Sequence, residues 1–146
     1  MTRSAKPSRK FILTAYAFVV VCGPPGAWLM GQTGLSLQSA ACAPIGLLTL
    51  LVIAPIIEET VFRYGLQNWL NASFPAGVGC FSLANVMVAL IFGGMHSLHQ
   101  GSVWMLLTTV PALLFGWVWE LSAGRLIVPV LLHAWYNLCI VLLSCH

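Results

Sequence analysis

The chain has 146 residues, of which 60% are hydrophobic and 6% charged, with a formal net charge of +3. Its apolar runs are too long and too many for a soluble core, so the fold class is all-α, a polytopic transmembrane bundle of about five to six helices. The charge is not a nucleic-acid signature, because four of the six basic residues, Arg3, Lys6, Arg9 and Lys10, precede the first apolar run. That asymmetry is the positive-inside pattern and predicts a cytoplasmic N-terminus over residues 1–10, followed by one integral membrane domain over 11–146.

The first predicted span covers Phe11 to Met30, with Gly23-Pro24-Pro25-Gly26 expected to kink it or end it early. No small-residue cleavage site follows Phe11–Val21, so the segment is read as a retained anchor rather than a signal peptide. The second span runs from Leu37 to Ile53. Pro55 marks a boundary, and an amphipathic helix from Ile56 to Leu70 follows it. Asn71-Ala72-Ser73-Phe74-Pro75 reads as a break. Three further spans are expected at Gly77–His99, Val103–Leu121 and Leu126–Leu143. The five cysteines, Cys22, Cys42, Cys80, Cys139 and Cys145, are odd in number and show no C-x-x-C spacing. Neither a disulfide framework nor a zinc knuckle is expected from them.

Against this apolar background the polar residues stand out. The chain has three acidic residues and no Asp, and two of the three are the adjacent Glu58 and Glu59. A charge at the centre of a membrane helix costs about 2.5–3.5 kcal/mol on insertion scales, so such residues need partners, water or a function. Glu59 and Arg63 are spaced i, i+4 with the Glu first, the better order for a supporting ion pair. Glu58 projects about 100° away on the helix surface and has no local cation, which leaves it free to act as a general base. The competing reading is one structural ion cluster made of all three. His96 lies near the end of the third span in Phe92-Gly93-Gly94-Met95-His96, where Gly93 and Gly94 permit close approach of another backbone. His99 is expected at the water interface. His133 and Asn137, also i, i+4, share a face of the last span and point to a cavity or a partner helix.

Three helices thus each bring polar chemistry to an otherwise apolar chain. A base, one or two imidazoles and an amide suffice to hydrolyse a peptide bond. The absence of Asp excludes a two-aspartate intramembrane protease, and neither H-E-x-x-H nor G-x-S-x-G occurs. The rival class is a small transporter or proton-coupled channel, which usually shows two related halves; none is found. A non-catalytic scaffold is a third reading.

The motifs Glu58-Glu59-Thr60-Val61-Phe62-Arg63, Phe92-Gly93-Gly94-Met95-His96 and His133-Ala134-Trp135-Tyr136-Asn137 resemble those of the CPBP family of intramembrane proteases, also known as CAAX proteases, bacteriocin-processing enzymes or the Abi family. The resemblance covers Ala54 to Leu143. It implies an intramembrane endopeptidase acting on a membrane-associated protein or peptide, with a C-terminal sorting signal as one candidate substrate; the small core, the basic N-terminus and the lack of a soluble domain suit a bacterial inner membrane. It further implies that Glu58 activates water, that His96 helps hold the water, and that His133 and Asn137 stabilise the oxyanion. Glu59 and Arg63 would orient Glu58. No cofactor is expected. Ligand counting leaves zinc open, since Glu58, His96 and His133 supply one carboxylate and two imidazoles. A ligating His normally gives its other ring nitrogen to a carboxylate or carbonyl, and with Glu59 matched to Arg63 and Glu120 near a loop, such support is expected to be missing.

Overall fold

The computed structural model describes residues 7–32 and 39–145. Arg3, Lys6, Leu37 and His146 therefore lie outside the described residues. Five helices dominate. Helix α1 is Arg9–Gln32 and helix α2 spans Pro44–Ser73. A short antiparallel hairpin pairs β1, Gly77–Val78, with β2, Phe81–Ser82. Helix α3 is Leu83–Gln100. A 3₁₀ turn over Val103–Thr108 leads into α4, Thr109–Leu121, and α5 is Ile127–Ser144. Four stretches are long and apolar enough to cross a membrane: α1, α2, α4 with its 3₁₀ lead-in, and α5. The protein is an all-α polytopic membrane bundle.

Two apolar clusters meet at α4. Phe62 and Leu70 of α2 and Ala84, Val88 and Phe92 of α3 pack with Ala112. Val19 of α1 and Leu132 and Tyr136 of α5 pack with Phe115 and Val118. On the outside, Ile56, Ile57, Val61, Tyr64 and Trp69 of α2 are exposed. A membrane helix with an apolar face turned outward and a polar face turned inward is the reverse of a soluble amphipathic helix, and it is stable because lipid solvates the first face and neighbouring helices the second.

Several boundaries differ from the sequence expectations. Helix α1 continues through Pro24 and Pro25, Asn71–Ser73 of the expected break still belong to α2, and the β1–β2 hairpin takes up the expected start of the third span, so that α3 begins only at Leu83. The larger correction is α2. Pro55 is not a boundary but lies inside a single helix, between two π-helical segments, Thr49–Ile53 and Thr60–Gln67. The Ala54 amide bonds Thr49 O, a π-type i→i−5 step. The same step from residue 55 would reach Leu50 O, but proline has no N–H. Instead Asn137 Nδ2 of α5 donates to Leu50 O at 2.8 Å. The helix survives its proline because another helix satisfies the carbonyl the proline leaves unpaired. Continuity also moves Glu58 and Glu59 from an expected first turn to the middle of a 30-residue helix, so stabilisation by a helix N-terminus does not apply to them.

Cys42 and Cys145 form a disulfide with a Cα–Cα separation of 5.7 Å, against the expectation of no such bond. The two residues are 103 positions apart and carry no spacing signal. Each stands just outside a helix end, and the fold brings the start of α2 and the end of α5 together. Cys22, Cys80 and Cys139 are free.

Candidate active site

A polar ladder runs along the α2–α4 contact. On α2, Glu59, Arg63, Gln67 and Asn71 recur every four residues. On α4, Ala112, Gly116 and Glu120 do the same. Equal spacing lets the two rows face each other turn by turn. Arg63 uses three nitrogens: Nε donates to Glu59 Oε2 at 2.8 Å, Nη1 to Gln67 Oε1 at 3.3 Å and Nη2 to Ala112 O at 2.9 Å. Gln67 Nε2 donates to Gly116 O at 3.2 Å and to Glu120 Oε1 at 2.8 Å. Asn71 Nδ2 reaches the same Glu120 oxygen at 3.2 Å, and the Ser82 hydroxyl donates to it as well. Glu59, Arg63 and Gln67 are fully buried. Side chains this polar are tolerated there because nearly every donor has an acceptor. Sequence reading passed over Gln67, Asn71 and Glu120. Gln67 and Asn71 continue the i, i+4 series from Glu59, whereas Glu120, on α4, carried no such signal.

Close approach of the helices is secured by glycines. A Cβ at Gly116 would collide with the Asn85 side chain and lie 2.7 Å from Gln67 Oε1. A Cβ at Gly93 would collide with the Thr109 side chain and sit 3.2 Å from its backbone nitrogen. Gly94, expected to share that role, faces open space.

The ladder ends at His133. Glu59 is not matched to Arg63 alone, as expected; it bridges, with Oε2 on Arg63 and Oε1 2.8 Å from His133 Nδ1. The carboxylate support judged hard to build for a histidine is therefore present. With Nδ1 committed to Glu59, the ring presents Nε2 to Glu58, whose Oε2 lies 3.7 Å away. That is beyond hydrogen-bond length. Glu58 Oε2 is buried and has no hydrogen-bond partner among the described residues, while the side chain as a whole keeps 27% exposure. The two adjacent glutamates thus occupy opposite environments: Glu59 is saturated and sealed, and Glu58 is open to a cavity.

That cavity has a volume of about 470 Å³, and Glu58, His96, His133 and Asn137 all line it. Phe18, Leu50, Phe115 and Tyr136 supply much of its apolar wall. His96 is held by its own motif: Nδ1 lies 3.0 Å from Phe92 O, and its ring stacks on Phe92 with centroids 4.2 Å apart. The Phe92–His96 spacing of one turn makes both contacts together. His133 is tilted against Phe115 at 5.5 Å. Asn137 has one amide hydrogen committed to Leu50 O, which leaves the other N–H and the carbonyl oxygen. His99 is exposed near the end of α3. For zinc, the described residues contain no group of three or more His, Cys, Asp or Glu side chains placed to hold a metal ion. Glu58, His96 and His133 share a cavity but are not placed as a ligand set.

Fold and site together define a polytopic helical membrane protein with a carboxylate, two imidazoles and an amide around one internal cavity. The chain belongs to the Rce1-like family, described as type II CAAX prenyl endopeptidase Rce1-like, whose sequence profile matches residues 40–139. A curated relative, an uncharacterized 24.3 kDa protein of Escherichia coli, is 33% identical over 92 residues, covering 60% of this chain and 38% of that protein. The matched region thus spans less than two-fifths of that relative. No solved structure matches the chain.

Proposed function

We propose that this protein is an intramembrane endopeptidase of the glutamic type, which hydrolyses a peptide bond of a membrane-associated protein or peptide in a bacterial inner membrane. The observation that carries this reading is Glu58: a carboxylate with an oxygen that no described group hydrogen-bonds, in a cavity it shares with His96, His133 and Asn137.

In this mechanism Glu58 takes a proton from water as the water oxygen bonds to the substrate carbonyl carbon. The carbonyl oxygen becomes an oxyanion, stabilised by donors fixed in advance. His133 serves from Nε2 when both its ring nitrogens carry protons, with Glu59 holding the ring by Nδ1. The remaining Asn137 N–H is the second donor. His96, presented by its bond to Phe92 O, helps hold the water. The carbon–nitrogen bond then breaks, the proton on Glu58 passes to the departing nitrogen, and a carboxylic acid and an amine leave. The chemistry uses no metal. Glu59, Arg63 and Gln67 do not touch substrate and act by holding α2 and His133.

The test is Glu58→Gln, which keeps shape and removes basicity. Purified in detergent and offered a fluorogenic library of apolar peptides, the variant should accumulate normally and lose cleavage by at least ~10²-fold, the lower end for a general base. A Glu58→Gln protein that cleaves at the wild-type rate overturns the mechanism.

A further inference from the structure

The two ends of the bundle differ in chemistry. At one end, Phe11 of α1 meets Trp117 of α4, and Phe81 of the hairpin meets the same ring, at centroid distances of 6.2 and 5.9 Å. Arg9, Lys10 and Arg125 all lie in the segments at this end. At the other end, the Cys42–Cys145 disulfide ties the start of α2 to the end of α5. Among the described residues, the only Lys or Arg beyond the basic end is Arg63, which is buried in the ladder.

The cavity belongs to the disulfide end. It takes Leu29 from the last turns of α1, Leu50 from the first turns of α2, Gln100 from the end of α3, Met105 from the approach to α4 and Ile140 from late in α5. Helices consecutive in the chain run in opposite directions, while α1 and α5 run the same way, and each of these residues comes from the half of its helix nearest the disulfide. Glu58, at mid-helix, forms the floor, and the exposed Gln100 forms part of the rim.

We infer that the catalytic cavity opens on the extracytoplasmic side of the membrane, so that a substrate must present its scissile bond from that side. Two independent features fix the direction. Basic residues are retained in the cytoplasm, and disulfides persist in oxidising compartments outside it. They select opposite ends of the bundle and so agree. The inference rests on the reading of the Glu58 cavity as catalytic, but its test does not require activity.

The experiment is cysteine labelling in bacterial cells with a membrane-impermeant maleimide. Gln100→Cys and Arg125→Cys are introduced separately into a background in which Cys22, Cys80 and Cys139 are replaced by Ala. The expected result is that position 100 labels in intact spheroplasts and position 125 only after permeabilisation. Position 100 labelling only after permeabilisation, or not at all while position 125 is readable, overturns the inference. The wild-type chain gives a second measurement that needs no substitution. Alkylation of unreduced protein from cells should leave Cys42 and Cys145 blocked, and finding both as free thiols also overturns it. Retained cleavage by Glu58→Gln would defeat the catalytic reading instead and leave the labelling pattern unchanged.

Discussion

Asn137 can be tested as a residue that supports α2 by deleting it in two backgrounds. Its amide caps Leu50 O at 2.8 Å, the carbonyl left open because Pro55 brings no N–H. Glu58 stands three residues after Pro55, so the π turn that Asn137 holds also sets the approach of Glu58 to the cavity. Asn137→Ala leaves a partly buried carbonyl unpaired; a fully buried one costs ~1–3 kcal/mol in general, while hydrogen bonds between membrane helices average ~0.6 and reach ~1.7 kcal/mol. The membrane value sets the expectation, so the loss of stability should be ~0.6–1.7 kcal/mol. Pro55→Ala restores an N–H one π turn from Leu50 O, and the same Asn137→Ala change should then cost less than half as much. The assay is a double-mutant cycle on thermal unfolding in detergent, repeated on kcat. A coupling above ~0.5 kcal/mol exceeds what independent sites show. If Asn137→Ala costs the same stability in the Pro55→Ala background as in the wild type, capping of Leu50 O is refuted as its role. If stability couples and kcat does not, Asn137 acts on the reaction through its second N–H instead.

Removing one member of the buried Glu59–Arg63 pair should lower protein abundance, at ~3–5 kcal/mol for an uncompensated charge; normal accumulation of both Glu59→Ala and Arg63→Ala on membrane immunoblots would contradict this. Exchanging the pair should not restore abundance, because Glu59 also serves His133 and Arg63 also serves Gln67 and Ala112 O. Gly116→Ala should destabilise by ~1–3 kcal/mol through overpacking against Asn85 and Gln67, read as a lowered unfolding temperature; an unchanged temperature would mean that the α2–α4 spacing is looser than described. Cleavage should survive stripping with a strong chelator, and activity that vanishes and returns only with stoichiometric zinc would refute the metal-free mechanism.

The apolar excess of the chain determined by itself that the protein is a membrane bundle, since runs of this length have no other stable place. Adjacent glutamates in such a background announced a site, and the i, i+4 order of Glu59 and Arg63 announced their pairing. The order of three polar motifs indicated the family. Only the tertiary structure decided how α2 runs through Pro55, because the group that completes the helix there is Asn137, 87 residues away. Local sequence rules read the missing N–H as a stop and could not see the distant donor. The same holds for Glu59, whose second oxygen finds His133 across 74 residues, and for Cys42 and Cys145. Gln67, Asn71 and Glu120 look like ordinary polar residues near helix ends until α2 and α4 pack. Periodicity reports which side chains share a face, but the partner of a buried polar group is set by which faces meet, and that depends on the packing of the whole bundle.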